Sequence, residues 1–292
     1  MAEALVLAWA AAMIRSATPL LLALLGETMT QRVGVINLGI EGQMLVGAVG
    51  GFAAVVVTGN PALGMAAGMA AGIALSTVHA VLCLGFRVNQ LASGVAVWTL
   101  GLGLSSLLGR PYVGGKVHGF APVLGISPMA WVAVGLTVAL AVFLSRTRRG
   151  LQWRVVGDSL TNASSAGIRP WRAQLEAILL GGALSGLGGA VLSVDYTQTW
   201  AQEMTKGRGF VAVGLVIVAR WQPMLVLPVA LVFGLSEIAV LQLQAAGLAV
   251  SSHLLACLPY GLCFLTLVLA HAVARVDRGM PASLASIFRA MS

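Results

Sequence analysis

Leu254-Leu255-Ala256-Cys257-Leu258-Pro259-Tyr260-Gly261-Leu262-Cys263-Phe264-Leu265-Thr266-Leu267-Val268-Leu269-Ala270-His271-Ala272-Val273 carries no Asp, Glu, Lys or Arg. It matches the roughly 20 apolar residues a helix needs to cross a hydrocarbon core. Ile178 to Leu192 approaches the same length before its flanks are added. Backbone groups in lipid must be bonded internally, which leaves a helix bundle or a closed barrel. Barrel strands alternate apolar and polar residues, whereas these runs are apolar all round, so helices win. The fold class is therefore all-α, a polytopic transmembrane bundle of about 8–10 helices. We read residues 1–292 as a single transmembrane domain.

Composition agrees. The chain is 59% hydrophobic and 9% charged. A soluble domain is usually about 25% charged, so lipid must cover most of this surface. The net charge of +8 reflects arginines at helix ends. No basic stripe interleaved with aromatics points to nucleic acid. Cys83, Cys257 and Cys263 fall in apolar stretches, and the four histidines are scattered, so no metal site is expected. Met1-Ala2-Glu3 lacks a basic n-region, and the start reads as a retained first span.

Nine apolar spans follow in order, about Ala4–Leu25, Val35–Val57, Ala62–Leu84, Leu91–Leu108, Met129–Leu144, Ala173–Ser193, Gly209–Arg220, Met224–Leu243 and His253–Val273. The seventh is too short to cross alone and reads as a half-helix or as one lengthened by the loop before it. Alternating sides puts Arg32, Arg87, Arg146, Arg148, Arg149, Arg154, Arg169, Arg172, Arg220, Arg275, Arg278 and Arg289 together. Only Arg110, Lys116, Lys206 and Arg208 fall opposite. The first side is expected to be cytoplasmic, with the N-terminus outside and the tail 276–292 inside. Arg15 falls within the first span and stays unassigned.

Polar residues in apolar spans are the candidates for function. Asn37, Glu41 and Gln43 start the second span, Asn89 and Gln90 enter the fourth, and Glu237, Gln242 and Gln244 lie on or after the eighth. A charge at mid-bilayer costs about 2.5–3.5 kcal/mol on insertion scales. Glu41 and Glu237 must therefore face a wet path, an interface or an interhelical partner. Gly34-Val35-Ile36-Asn37-Leu38-Gly39-Ile40-Glu41-Gly42 interrupts what should be a continuous helix. Broken helices at membrane depth are common at transporter binding sites. Trp98 either stacks on a solute ring or packs against protein or lipid. Gly47/Gly51, Gly64/Gly68/Gly72 and Gly182/Gly186 are spaced for close helix packing, within one chain or between two.

The turn from Arg146 to Glu176 is far longer than a reversal needs. Its arginines flank the small, polar run Gly157 to Ile168, a docking pattern with a short helix expected at Asn162 to Ala166. No Ser/His/Asp set and no Gly-x-Ser-x-Gly occur. No phosphate-binding Gly-x-x-x-x-Gly-Lys-Ser/Thr occurs either, so an ATP-driven process would place ATP and magnesium on a partner.

Several segments resemble permease subunits of bacterial ABC importers, in the branched-chain amino acid/ribose permease superfamily, nucleoside and simple-sugar branch. They are Ala17 to Leu22, Leu25-Gly26-Glu27, Arg32 to Gly42, Asn89-Gln90 with Ser93-Gly94, Val156 to Ile168, Lys206 to Ala212 and Ala219 to Pro223. The resemblance implies discontinuous helices and a cytoplasmic coupling loop, 146–172, gripped by a separate ATPase. Gly157, Asp158, Ser159, Asn162, Ala163, Ala166, Gly167 and Ile168 would carry that contact. It also implies a second, related permease subunit, an extracytoplasmic solute-binding protein and an inner-membrane location. The translocation path would draw on Asn37, Glu41, Asn89, Gln90, Trp98 and Glu237. Where that loop usually reads Gly-Glu-Asn-Pro, this chain has Gly157-Asp158-Ser159-Leu160, which keeps an acid and small residues. The competing reading is a stand-alone secondary transporter, with Glu41 or Glu237 carrying protons. An intramembrane enzyme would need a nucleophile–base pair, and none is evident.

Overall fold

A computed structural model describes residues 2–245, 251–274 and 279–284. Arg275 and most of the expected tail 276–292, with Arg278 and Arg289, lie outside the described residues. Among the described residues, eleven α-helices account for nearly all of the architecture: α1 (Ala2–Arg32), α2 (Ile40–Thr58), α3 (Pro61–Ala80), α4 (Gln90–Gly109), α5 (Pro128–Arg146), α6 (Arg148–Asp158), α7 (Leu160–Ser165), α8 (Pro170–Ala190), α9 (Arg208–Val218), α10 (Pro223–Ala245) and α11 (Ser252–Ala274). Wider π-helical turns, Val81–Gly85 and Val191–Tyr196, extend α3 and α8. Among the described residues, seven helical segments are long and apolar enough to cross a membrane, and two shorter apolar helices accompany them, Arg208–Val218 and Cys257–Leu269. The chain is a multi-pass α-helical membrane protein.

The helix starts follow local chemistry. Asn60 and Ser127 cap α3 and α5 through their side chains, each followed by a proline in the first turn. Asn89 caps α4, its Oδ1 accepting from Leu91 N–H at 2.9 Å and Ala92 N–H at 3.3 Å.

At the centre stands α8, the most enclosed of the crossing helices. Its glycines let backbones touch. A methyl at Gly186 would meet the Gly68 carbonyl, one at Gly189 the Met44 carbonyl, and one at Gly182 the Ser76 side chain. Gly47, Gly51, Gly64, Gly68 and Gly72 likewise face Gly182, Gly186 and Ala190 or one another. The small-residue pattern is thus used inside this chain. Around the rim, α3, α4 and α5 expose apolar side chains such as Leu63, Leu107 and Val132, a surface suited to lipid.

Two expectations need correction. The first span was placed at Ala4–Leu25, yet the helix continues to Arg32. Arg15 donates to the Asp195 carbonyl at 2.7 Å, whereas Arg32 donates to the Trp221 carbonyl at 2.6 Å at the opposite end of the bundle. The stretch between them spans about 25 Å at the helical rise, and the apolar helical segment long enough to cross runs from Ala8 to Arg32. The second correction concerns 146–172, which is a helical hairpin. Thr147 caps α6, its Oγ1 accepting from Gly150 N–H at 2.9 Å, and Ser159 caps α7, accepting from Asn162 N–H at 3.2 Å. Gly157 and Asp158 therefore end a helix, and the short helix begins at Leu160.

Candidate functional site: two helix breaks and a helical hairpin

The first break runs from Val33 to Gly39, between α1 and α2. Val33, Gly34 and Val35 N–H still bond back to the Thr30 and Gln31 carbonyls of α1, but beyond them the helical ladder lapses, and each buried, unpaired group would cost about 1–3 kcal/mol. Side chains from surrounding helices supply the bonds. Ile36 N–H donates to Gln90 Oε1 at 2.9 Å, and Gln90 Nε2 reaches the Gly34 carbonyl at 3.4 Å. Asn37 N–H donates to Glu27 Oε1 at 3.2 Å, and Gln174 Nε2 to the Val33 carbonyl at 3.4 Å. Asn37 turns back on itself, its Oδ1 accepting from Gly39 N–H at 3.0 Å while its Nδ2 donates to Gln43 at 3.2 Å. Gly34 adopts φ of 79°, and a Cβ there would strike the Ser283 side chain.

Behind the break runs a buried polar chain. Gln31 Nε2 donates to Glu27 Oε1 at 2.8 Å, and Trp221 Nε1 donates to Gln31 Oε1 at 2.6 Å. Glu27, Gln31 and Trp221 are each no more than 3% exposed. Sequence reasoning missed this chain as a site. Its signal was an acid and an amide four residues apart at the end of an apolar helix, hidden by ending that span too early. Among the described residues, Glu27 Oε2 and Gln43 Nε2 have no hydrogen-bond partner.

The second break precedes α9, and here Glu41 from α2 meets the stretch Thr205 to Gly209. Glu41 Oε1 accepts from Thr205 Oγ1 at 2.5 Å and from Gly207 N–H at 2.8 Å, while Oε2 accepts from Gly209 N–H at 2.6 Å. The carboxylate sits on the partial positive charge of a helix start. Gly209 permits this approach, since a Cβ there would lie 2.6 Å from the Glu41 N and Cα atoms. Beside it, Arg208 Nη2 pairs with Glu237 Oε1 of α10 at 2.6 Å, and Ser16 of α1 donates to Glu237 Oε2 at 2.5 Å. Tyr260 of α11 donates to the Lys206 carbonyl. Phe210 meets Trp98 of α4 edge to face, with ring centroids 5.0 Å apart.

The structure thus brings Asn37 and Gln90 together at the first break, and Glu41, Glu237 and Trp98 around the second. Asn89 stands apart as an exposed helix cap. Glu41 and Glu237 both carry interhelical bonds.

At the basic end lies the hairpin of α6 and α7. Gly157 and Ala163 are buried, and a Cβ at Gly157 would strike the Arg32 carbonyl. Ser283 donates to the Gly157 carbonyl at 2.5 Å, and Leu284 is fully buried. Ser159 and Ile168 are half-buried, with Ile168 N–H bonded to the Ala163 carbonyl at 3.0 Å. Asp158, Asn162, Ala166 and Gly167 are exposed, beside exposed Arg148, Arg149, Arg154, Arg169 and Arg172. Among the described residues no group of three His, Cys, Asp or Glu side chains is placed to hold a metal.

Broken helices meeting inside an apolar bundle, with a separate polar hairpin at one end, define a class of membrane transport subunit. Comparison with known proteins specifies which. The family model described as the branched-chain amino acid transport system permease component matches residues 10–270, and the chain belongs to that family. It is 39% identical over 261 residues to the putative glucose ABC transporter permease TsgC13 of Haloferax volcanii, covering 83% of this chain and 79% of that protein. Guanosine ABC transporter permease NupQ of Bacillus subtilis is 30% identical over 249 residues, covering 76% and 78%. Nucleoside ABC transporter permease NupC of Lactococcus lactis is 26% identical over 285 residues, covering 88% and 90%. No solved structure matches the chain.

Proposed function

We propose that this chain is the pore-forming subunit of an ATP-driven, binding-protein-dependent importer of a nucleoside or simple sugar. Its membership of the permease family along nearly its whole length carries the reading. The names of its relatives, glucose and guanosine permeases, set the solute class. Such solutes are neutral and rich in hydrogen-bonding groups. The interior suits them, because the charges of Arg208 and Glu237 cancel in a pair and Glu41 is spent on backbone N–H groups. Trp98 and Phe210, both half-buried, offer apolar ring faces next to the second break.

ATP hydrolysis belongs to a separate cytoplasmic ATPase. Its docking surface is the exposed part of the hairpin, Asp158, Asn162, Ala166 and Gly167, with Gly157 and Ala163 holding that surface to the bundle. The basic end faces the cytoplasm, by the bias of arginines. A second permease completes the path, and a binding protein delivers solute at the opposite end, where 113–116 pairs with 199–200. Binding of ATP shifts the assembly between two conformations only to the extent that it favours one of them.

The stand-alone, proton-coupled alternative needs Glu41 or Glu237 free to exchange protons with a path, and both are engaged internally. Reconstitution in proteoliposomes with the ATPase, second permease and binding protein tests the choice. Uptake of labelled guanosine or glucose that requires ATP is expected. Uptake by the isolated chain, driven by a proton gradient, would refute the proposal.

A further inference from the structure

Four helices are fastened to one five-residue stretch. Thr205 to Gly209 is held by Glu41 from α2, by Glu237 from α10 through Arg208, by Ser16 from α1 through Glu237, and by Tyr260 from α11. From this point α9 starts, and it is too short to cross a membrane by itself. A helix start presents unpaired N–H groups and a partial positive charge. Thr205, Arg208 and Gly209 are buried, so their polar groups need partners within the chain. Glu41, 4% exposed, supplies both what the N–H groups need and the opposite charge. Both of its oxygens act as acceptors, the arrangement of an ionised carboxyl group.

We infer that Glu41 is a positioning residue of the transport cycle, and that its negative charge, seated at the start of α9, joins α2 and α9 into one moving unit. The uptake readout of this inference rests on the importer reading, whereas the seat itself does not. A glutamine has the shape of Glu41 but replaces one acceptor by a donor that would face Thr205, Gly207 or Gly209. An alanine leaves a vacancy the size of a methylene and a carboxylate, large enough to admit formate, next to three donors.

The test uses the complete complex with Glu41→Gln and Glu41→Ala, without and with formate, and with formamide as the neutral isostere. Both variants should lower uptake by about tenfold or more, from the loss of charge-assisted bonds. Formate should restore uptake in Glu41→Ala several-fold and raise its melting temperature, and formamide should do neither. If Glu41→Ala assembles poorly, expression and purification in formate should recover the complex. Wild-type uptake in Glu41→Gln overturns the inference. So does equal rescue by formamide, or failure of formate to change uptake, melting and assembly alike. A wild-type complex that imports neither nucleoside nor sugar would sink the cargo assignment and leave the melting comparison as a test of the seat.

Discussion

Gly209 and Gly214 lie five residues apart on α9 and face opposite fates. A methyl at Gly209 would press on the Glu41 backbone, while one at Gly214 would meet nothing within 4 Å. Gly209→Ala should therefore destabilise the assembled complex by about 1–3 kcal/mol, the usual cost of overpacking, and abolish uptake. Gly214→Ala should be neutral or stabilising by about 0.5–1 kcal/mol, because alanine favours a helix interior. Melting of the two purified complexes decides this directly. Asn89 and Gln90 form a second contrasting pair. Asn89→Ala removes an exposed cap, worth about 0.5–2 kcal/mol, and should leave solute preference unchanged. Gln90→Ala strands the Ile36 N–H and should cost about 1–3 kcal/mol. It should also slow uptake, because the first break loses its tie to α4. Equal stability losses without any difference in transport would show that the first break has no part in the cycle.

The same distinction holds among elements. The hairpin of α6 and α7 has a buried side that anchors it and an exposed side free to meet a partner. Asp158→Arg and Asn162→Trp alter only the exposed side. They should leave melting within about 0.5 kcal/mol, as surface changes do. Solute-stimulated ATP hydrolysis in the full complex should fall severely. Gly157→Leu should instead prevent assembly, because its side chain has the Arg32 carbonyl in its way. Wild-type stimulation in both surface variants would remove this hairpin from the ATPase contact. The hairpin also shows how sequence reading blurs elements. A polar, arginine-rich run without apolar periodicity reads as a loop with one short helix at Asn162 to Ala166, yet Thr147 and Ser159 start two helices in it through their hydroxyls. Those caps are local signals and were open to inspection. Long charged side chains masked them by diluting the apolar face of α6, which consists of Gly150, Trp153, Val156 and Gly157.

For the whole molecule, sidedness is the property most easily tested. In a cysteine-free background, Asn162→Cys should react with a membrane-impermeant maleimide only from the cytoplasm. Val123→Cys, at the opposite end and 52% exposed, should react only from outside. The reverse pattern would invert the orientation and remove the proposed ATPase contact with it. The expected sidedness rests on the arginines, a bias that is a property of composition. Arg15 escaped that tally, and Arg208 counted against it, for a tertiary reason. Arg15 is held by carbonyls of Asp195 and Tyr196, and Arg208 by Glu237, in partners distant along the chain.

Hydropathy alone established that the chain is a membrane-spanning helix bundle, because the cost of placing polar residues in lipid is paid locally, span by span. The glycine-rich interruptions were visible for a similar reason, since a helix break is a local event. Only tertiary structure decided what the buried polar residues do. Glu27 serves the backbone of Asn37, Gln90 that of Ile36, and Glu41 the start of a helix more than 160 residues away. A buried polar group demands a partner wherever one exists, and sequence declares the demand without naming the partner.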